Sequence, residues 1–309
     1  MPHPAHPAPL SPRDARRAGA VPHARATRGY RFTLLALALS ATACADPSRS
    51  LLPVEAAPTT SEHPAGAQWE GERTLTVGGT TILARVARPA AVTASPTVVL
   101  ISGLDVPLPG WDLVQPSLGV ASVTFAYDRA GVGGSGAITG ARPSSAVARE
   151  LRQALDVAGL RPPFVLVAHS IGGVHARVFA GRYPRDVAGL VFLDAMHEDD
   201  LASVPDAWIP FIAEAQLFPG AAAEVLAQRQ SEAEVRAVTI PDVPVAVVTS
   251  MQGDPDARAI AWARQGEWAR QVTQGVQVAS PAGHLLPIEA PKTVVEATGW
   301  VLRRARPSR

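Results

Sequence analysis

The stretch Phe164-Val165-Leu166-Val167-Ala168-His169-Ser170-Ile171-Gly172-Gly173 constrains this chain more than any other. An unbroken apolar run ends at a serine set among small residues, and a segment with helical spacing follows at once. A strand that runs into a sharp turn with a helix N-terminus behind it exposes a serine hydroxyl at the edge of a sheet. A serine before a helix is also a common N-cap, so the motif needs support from elsewhere in the chain. A hydroxyl is a weak nucleophile alone and calls for a base, an acid and a site for the developing oxyanion.

The flanking sequence alternates in the same way from Trp69 onward. Segments 74–77 and 81–86, with Gly78-Gly79 between them, read as a hairpin. Apolar runs over 97–101, 121–127, 164–168, 187–193, 241–250 and 276–279 read as strands. Helical spacing over 145–160, 171–182 and 293–304 separates or follows them. Buried parallel strands read as unbroken apolar runs, so the pattern predicts a mostly parallel central sheet with helices on both faces. It breaks between about 196 and 240, where Trp208, Ile209, Phe211, Ile212, Leu217 and Phe218 cluster without strand character and a helix is expected over 221–229. That segment predicts a small helical cap inserted between strands.

The N-terminus reads differently. The first 31 residues carry six arginines and one acidic residue, Asp14, and about a dozen apolar or small residues lead from Phe32 to Cys44. A basic lead, a short apolar core and a small-residue exit describe an export signal, too short to span a bilayer well. Cys44 is the only cysteine, which excludes an intrachain disulfide framework. The segment resembles a bacterial lipoprotein signal, although Ala41 stands where leucine is usual. That resemblance implies lipidation of Cys44 and attachment to the cell envelope; the alternative is ordinary cleavage near Ala43 or Ala45. The expected division is a signal over 1–43, a flexible tether over 44–66 and one domain over 67–309, with the cap at 196–240.

Four segments in order resemble the α/β-hydrolase family. Ala168-His169-Ser170-Ile171-Gly172 is similar to its G-x-S-x-G elbow, with alanine for the first glycine, which makes Ser170 the implied nucleophile. His284, in a loop after the last predicted strand, takes the position of the family's base; an imidazole can accept and return a proton near neutral pH. His169, His175 and His197 compete less well: the first adjoins the nucleophile, the second reads as a packed or exposed helix residue, and the third as a loop residue that could be solvated. Two carboxylates fit the acid. Asp194 ends the strand after the nucleophile helix and is preferred; Asp254 follows the next strand, inside Gly253-Asp254-Pro255-Asp256, which also reads as a plain turn. The backbone amides of Leu104, just after Ser102-Gly103, and of Ile171 are the implied oxyanion donors.

The resemblance implies a serine hydrolase acting on an ester, thioester or lactone of a small, largely apolar molecule, without a cofactor. A serine at the elbow disfavours haloalkane dehalogenase or epoxide hydrolase chemistry, which in related enzymes uses a carboxylate there. The competing reading is a non-catalytic ligand-binding protein of the same fold. The glycine-dense turn Asp128–Gly136 lacks the dinucleotide fingerprint and reads as structural. No cluster has metal-ligand spacing; Glu198-Asp199-Asp200 reads as a solvated edge of the cap. A formal net charge of +1 argues against a nucleic-acid partner, since phosphate binding needs a concentrated basic face.

Overall fold

Apolar runs of four to seven residues become the centre of one eight-stranded sheet, β1 (Gly71–Val77), β2 (Thr80–Ala87), β3 (Thr97–Ile101), β4 (Thr124–Tyr127), β5 (Phe164–His169), β6 (Val187–Leu193), β7 (Val245–Ser250) and β8 (Gly275–Ser280). The computed structural model describes residues 69–91, 95–215 and 217–305. The expected signal, Cys44 and the tether lie outside these residues. Strand order is β1-β2-β4-β3-β5-β6-β7-β8. Only β2 runs antiparallel to its neighbours, β1 and β4; the remaining pairs are parallel.

Side chains alternate across the sheet with period two, and two separate cores result. Val99, Ile101, Leu166, Leu190, Phe192 and Val247 face one side. There they meet the helices Ser144–Val157 and Gly172–Arg182 and Trp268 of the helix Pro255–Arg270. Val98, Leu100, Val165, Val167, Val191 and Val248 face the other, against Trp111, Leu118 and the helix Pro291–Leu302. Each such side chain contributes roughly 1.5–3 kcal/mol by leaving water, which is why both faces must be covered.

Three details depart from the sequence reading. The strand expected over 241–250 starts only at Val245, after a tight turn in which the Val243 amide bonds the Pro241 carbonyl. The strand expected over 121–127 starts only at Thr124, because the amides of Ala121 and Ser122 both bond the Leu118 carbonyl and finish the helix Gln115–Gly119. The helix expected over 221–229 is two helices, Pro219–Leu226 and Gln228–Arg236, divided at Ala227. With Glu198–Ser203 and Ile209–Ala213 they fill the connection between β6 and β7.

The sheet topology also fixes where chemistry can happen. The chain leaves β3 for β4 on one side and returns to β5 on the other, and a crevice opens at the carboxyl ends where winding reverses. Ile101 pairs with Ala168, Leu193 with both His169 and Val248, and Ser250 with Ser280. The loops carrying Ser102-Gly103, Ser170, Asp194 and His284 therefore leave the sheet along one edge.

Candidate active site

Ser170 follows the last residue of β5 with φ +53°, a left-handed conformation that costs an L-residue roughly 1–2 kcal/mol. Neighbours hold it there: its amide donates to the Leu193 carbonyl (3.1 Å), and its carbonyl accepts from Gly173 (3.0 Å) and Met196 (2.9 Å). The helix behind starts hard against β3, where a methyl group on Gly172 would fall 2.6 Å from the Ile101 carbonyl oxygen. Ala168, fully buried, fits where the elbow pattern has glycine.

The loop after β8 brings His284 to the same place. His284 Nδ1 lies 2.7 Å from Asp194 Oδ2. A carboxylate only accepts, so Nδ1 carries the proton and Nε2 keeps a free lone pair. Asp194, itself at φ +38°, is buried and further ligated by Gln265 Nε2 (3.1 Å) and the Ser250 amide (3.3 Å) on Oδ1 and by Arg258 Nη1 (3.2 Å) on Oδ2. Burial alone would raise its pKa, but the hydrogen bond and charge of His284 with the Arg258 guanidinium hold the carboxyl below its ordinary range. Asp254 is elsewhere: its side chain caps the helix Pro255–Arg270 by accepting from the Ala257 amide (2.9 Å). Among the described residues no hydrogen bond joins Ser170 to His284; bonds of this kind commonly tighten only around substrate.

His169 buttresses the pair. Its Nε2 donates to the His284 carbonyl (2.8 Å), and the two rings lie 4.7 Å apart. Burial, then repulsion from His284, pushes its pKa down to about 3, so it stays neutral beside the His284 imidazole. An unfolded chain protonates this histidine near pH 6.5. Stability is therefore complete above that value and is lost as pH falls toward about 3, by up to roughly 1.4 kcal/mol per pH unit. Denaturant midpoints between pH 7 and 4 should fall less steeply for His169→Gln than for the wild type; parallel slopes would contradict a buried, neutral His169.

The two backbone amides that the resemblance implies as oxyanion donors leave the sheet at the same edge: Ile171 heads the helix after Ser170 and Leu104 follows Ser102-Gly103 at the end of β3; among the described residues neither amide has an acceptor. Ser102 is far from idle: its hydroxyl accepts from Trp111 Nε1 (2.9 Å) and its carbonyl from Arg129 Nη1 (2.7 Å).

Comparison with known proteins fits this geometry. A family model described as the alpha/beta hydrolase fold matches residues 96–236. A thermophilic esterase from Thermogutta terrifontis, solved with malate bound, superposes with a TM-score of 0.61 at 21% identity, covering 76% of this chain and 99% of its own. The chain has the α/β-hydrolase fold. The haloalkane dehalogenase DbeA from Bradyrhizobium elkani superposes on this hydrolase-fold chain nearly as well, with a TM-score of 0.60 at 17% identity over 75% of this chain and 97% of the other. At such identities the likeness is one of fold. An AB hydrolase superfamily protein from Gibberella zeae is 32% identical over 114 residues, 36% of this chain and 35% of the relative. The chain thus spans about a third of that relative's length.

Several polar residues of this α/β-hydrolase-fold chain differ from their sequence reading. His197 is not solvated: it is buried, stacks on Trp268 with centroids 5.5 Å apart, and its Nδ1 accepts from the Asp199 amide to cap the helix Glu198–Ser203. The following acids are not a free solvated edge either. Glu198 pairs with Arg177, Asp199 with Arg236 (2.7 Å) and Asp200 with Arg264. His175 is packed, between Ser144 Oγ (2.9 Å) and Glu224 Oε2 (3.4 Å). In the glycine-dense turn, Asp128 takes the amides of Leu108 (2.5 Å) and Gly134 (2.8 Å), and Gly131 touches Gly220 so closely that a methyl group on Gly131 would sit 2.7 Å from the Gly220 nitrogen. The turn is the seat on which the Pro219–Leu226 helix rests.

Sequence reasoning passed over Arg129, Glu224, Arg258 and Gln265. A positional signal existed for three of them, though not for Glu224. Arg129 stands two residues past the end of the buried strand β4, at the carboxyl edge of the sheet. Arg258 and Gln265 lie seven apart, on one face of a helix, together with Ala261 and Trp268.

Proposed function

We propose that this chain is a serine hydrolase that cleaves a carboxylic ester, thioester or lactone of a small, largely apolar molecule through an acyl-enzyme. The observation that carries the reading is the 2.7 Å bond from His284 Nδ1 to buried Asp194, beside a serine held at φ +53°. Ser170 Oγ attacks the substrate carbonyl carbon while His284 Nε2 takes its proton. The amides of Leu104 and Ile171 receive the oxyanion. The tetrahedral adduct collapses, the bond to the alcohol or thiol breaks, and His284 returns the proton to that leaving group. Water then adds to the acyl carbon, giving its proton to His284, and the second collapse frees the acid and restores Ser170. Asp194 keeps the productive tautomer and offsets the imidazolium charge throughout.

The preference for apolar substrates rests on where Leu104 lies. Its side chain packs against the cluster of Val204, Ile209 and Val225 in the β6–β7 connection, on which Ile212 and Leu217 also pack. A group bound with its carbonyl oxygen at the Leu104 amide borders apolar surface. Phe211 and Phe218 add exposed aromatic surface to the same connection.

The test is a fluorophosphonate probe followed by peptide mapping, run beside p-nitrophenyl esters of graded acyl length. A single adduct on Ser170 and turnover of short to medium esters are expected. A chain that turns over no ester and takes no label at Ser170 is a ligand-binding member of the fold, and the proposal is wrong.

A further inference from the structure

Two of the most heavily buried charges among the described residues lie behind the oxyanion loop and take no part in the proton relay. Arg129 and Glu224 are 2% and 1% exposed. Their contact is a planar fork: Arg129 Nε to Glu224 Oε1 at 2.7 Å and Nη2 to Oε2 at 3.0 Å. Glu224 belongs to the helix Pro219–Leu226, in the β6–β7 connection. The same guanidinium also turns toward β3, where Nη1 donates to the Ser102 carbonyl (2.7 Å) and Nη2 to the Gly103 carbonyl (2.9 Å).

The second of those bonds is the informative one. The Gly103 carbonyl and the Leu104 amide belong to one peptide unit. That unit is planar and trans, so its C=O and N–H point in opposite directions. A cation fixed on the oxygen therefore aims the N–H away from itself, and it also polarises the unit, making the N–H a stronger donor. The Leu104 amide has no acceptor among the described residues. Placing two charges in a dry interior costs several kcal/mol per ion, and an apolar pair of equal volume is often as stable. Cap docking by itself does not call for such a pair, since Val204, Ile209 and Val225 already bury an apolar cluster there.

We propose that Arg129, held by Glu224, is a positioning residue for the oxyanion site, so that a residue of the β6–β7 connection that touches no substrate sets the rate of the chemical step. This rests on the serine-hydrolase reading and deepens it. His175 and Arg142 complete the setting of Glu224, at 3.4 and 3.8 Å, and Arg142 is in turn forked onto Glu150. The carboxylate is thereby tied on several sides and cannot swing off the guanidinium.

The experiment compares Arg129→Lys, Glu224→Gln and the double variant with the wild type, using ester kinetics, affinity for a boronic acid that forms a tetrahedral adduct, and melting temperature. Losing a whole oxyanion donor costs roughly 10²–10³ in rate, and a misaimed one should cost about 10–100-fold. The expected result is that loss in kcat, with KM changed less than about threefold, boronate affinity falling in step with kcat, and a double variant no worse than the poorer single one. Both single substitutions keep a hydrogen-bonding group in place, and melting temperature reports any folding loss separately. Lower melting temperatures with unchanged kcat, or a raised KM at constant kcat, would overturn the proposal. The wild-type fluorophosphonate label separates the two failures: label on Ser170 with unaffected variants defeats this inference alone, while its absence defeats the hydrolase reading and this inference together.

Discussion

Ser170→Ala should lower kcat for p-nitrophenyl esters by roughly 10⁵–10⁶-fold, because removing the nucleophile of such a relay removes what the relay as a whole supplies. KM should change little, since the amides of Leu104 and Ile171 and the apolar surface near Leu104 are untouched. The reason to expect so large a loss is the strain at this position. A left-handed backbone is retained in a fold only where surrounding contacts over-determine it, and here three backbone hydrogen bonds and the close approach of Gly172 to β3 do so. Alanine inherits that strain, while glycine does not, and the difference is about 1 kcal/mol before the greater entropy of an unfolded glycine is subtracted. Ser170→Gly should therefore be as inactive as Ser170→Ala and at least as resistant to denaturant. Retention of more than a tenth of wild-type turnover by either variant would exclude Ser170 as the nucleophile.

What the sequence made legible follows from which forces set each element. Parallel strands buried on both faces must be apolar without interruption, and Phe164–His169 and Val187–Leu193 showed it directly. The elbow was legible because close backbone approach demands small residues in a fixed order. The helix Pro255–Arg270 was not: Arg258 and Gln265 occupy its buried face, because that face solvates the Asp194 carboxylate as well as packing on the sheet, and the apolar period disappears. The Arg129–Glu224 contact joins residues 95 apart, and pairing across such a separation leaves no local pattern. The charged triplet Glu198-Asp199-Asp200 looked solvated because its partners, Arg177, Arg236 and Arg264, come from three other elements. The preference for Asp194 over Asp254 came from resemblance; in the structure it is Asp194 that meets His284, while the Gly253-Asp254-Pro255 turn is a helix start.

Exchanging each of the two acids for its amide turns that difference into a measurement. Asp194→Asn should reduce kcat by about 10⁴-fold, since an amide can donate to Nδ1 and so favour the imidazole tautomer that has no lone pair at Nε2. Asp254→Asn should leave kcat near wild type and stability within about 0.5 kcal/mol, because asparagine caps a helix as well as aspartate. Asp194→Asn has a second consequence that must be kept apart from the first. It leaves Arg258 nearly buried without its carboxylate, and breaking such a pair from one side costs about 3–5 kcal/mol. The double variant Asp194→Asn/Arg258→Gln removes both charges and should regain much of that stability, yet kcat should stay down, because the tautomer is still wrong. Asp194 titrates below the ordinary carboxylate range in the folded protein, so its contribution to stability is complete above about pH 4 and is lost as pH falls through the depressed value. Recovery of activity together with stability in the double variant would mean that Asp194 serves the fold alone; a stable double variant that remains inactive ties its carboxylate to the chemistry at His284.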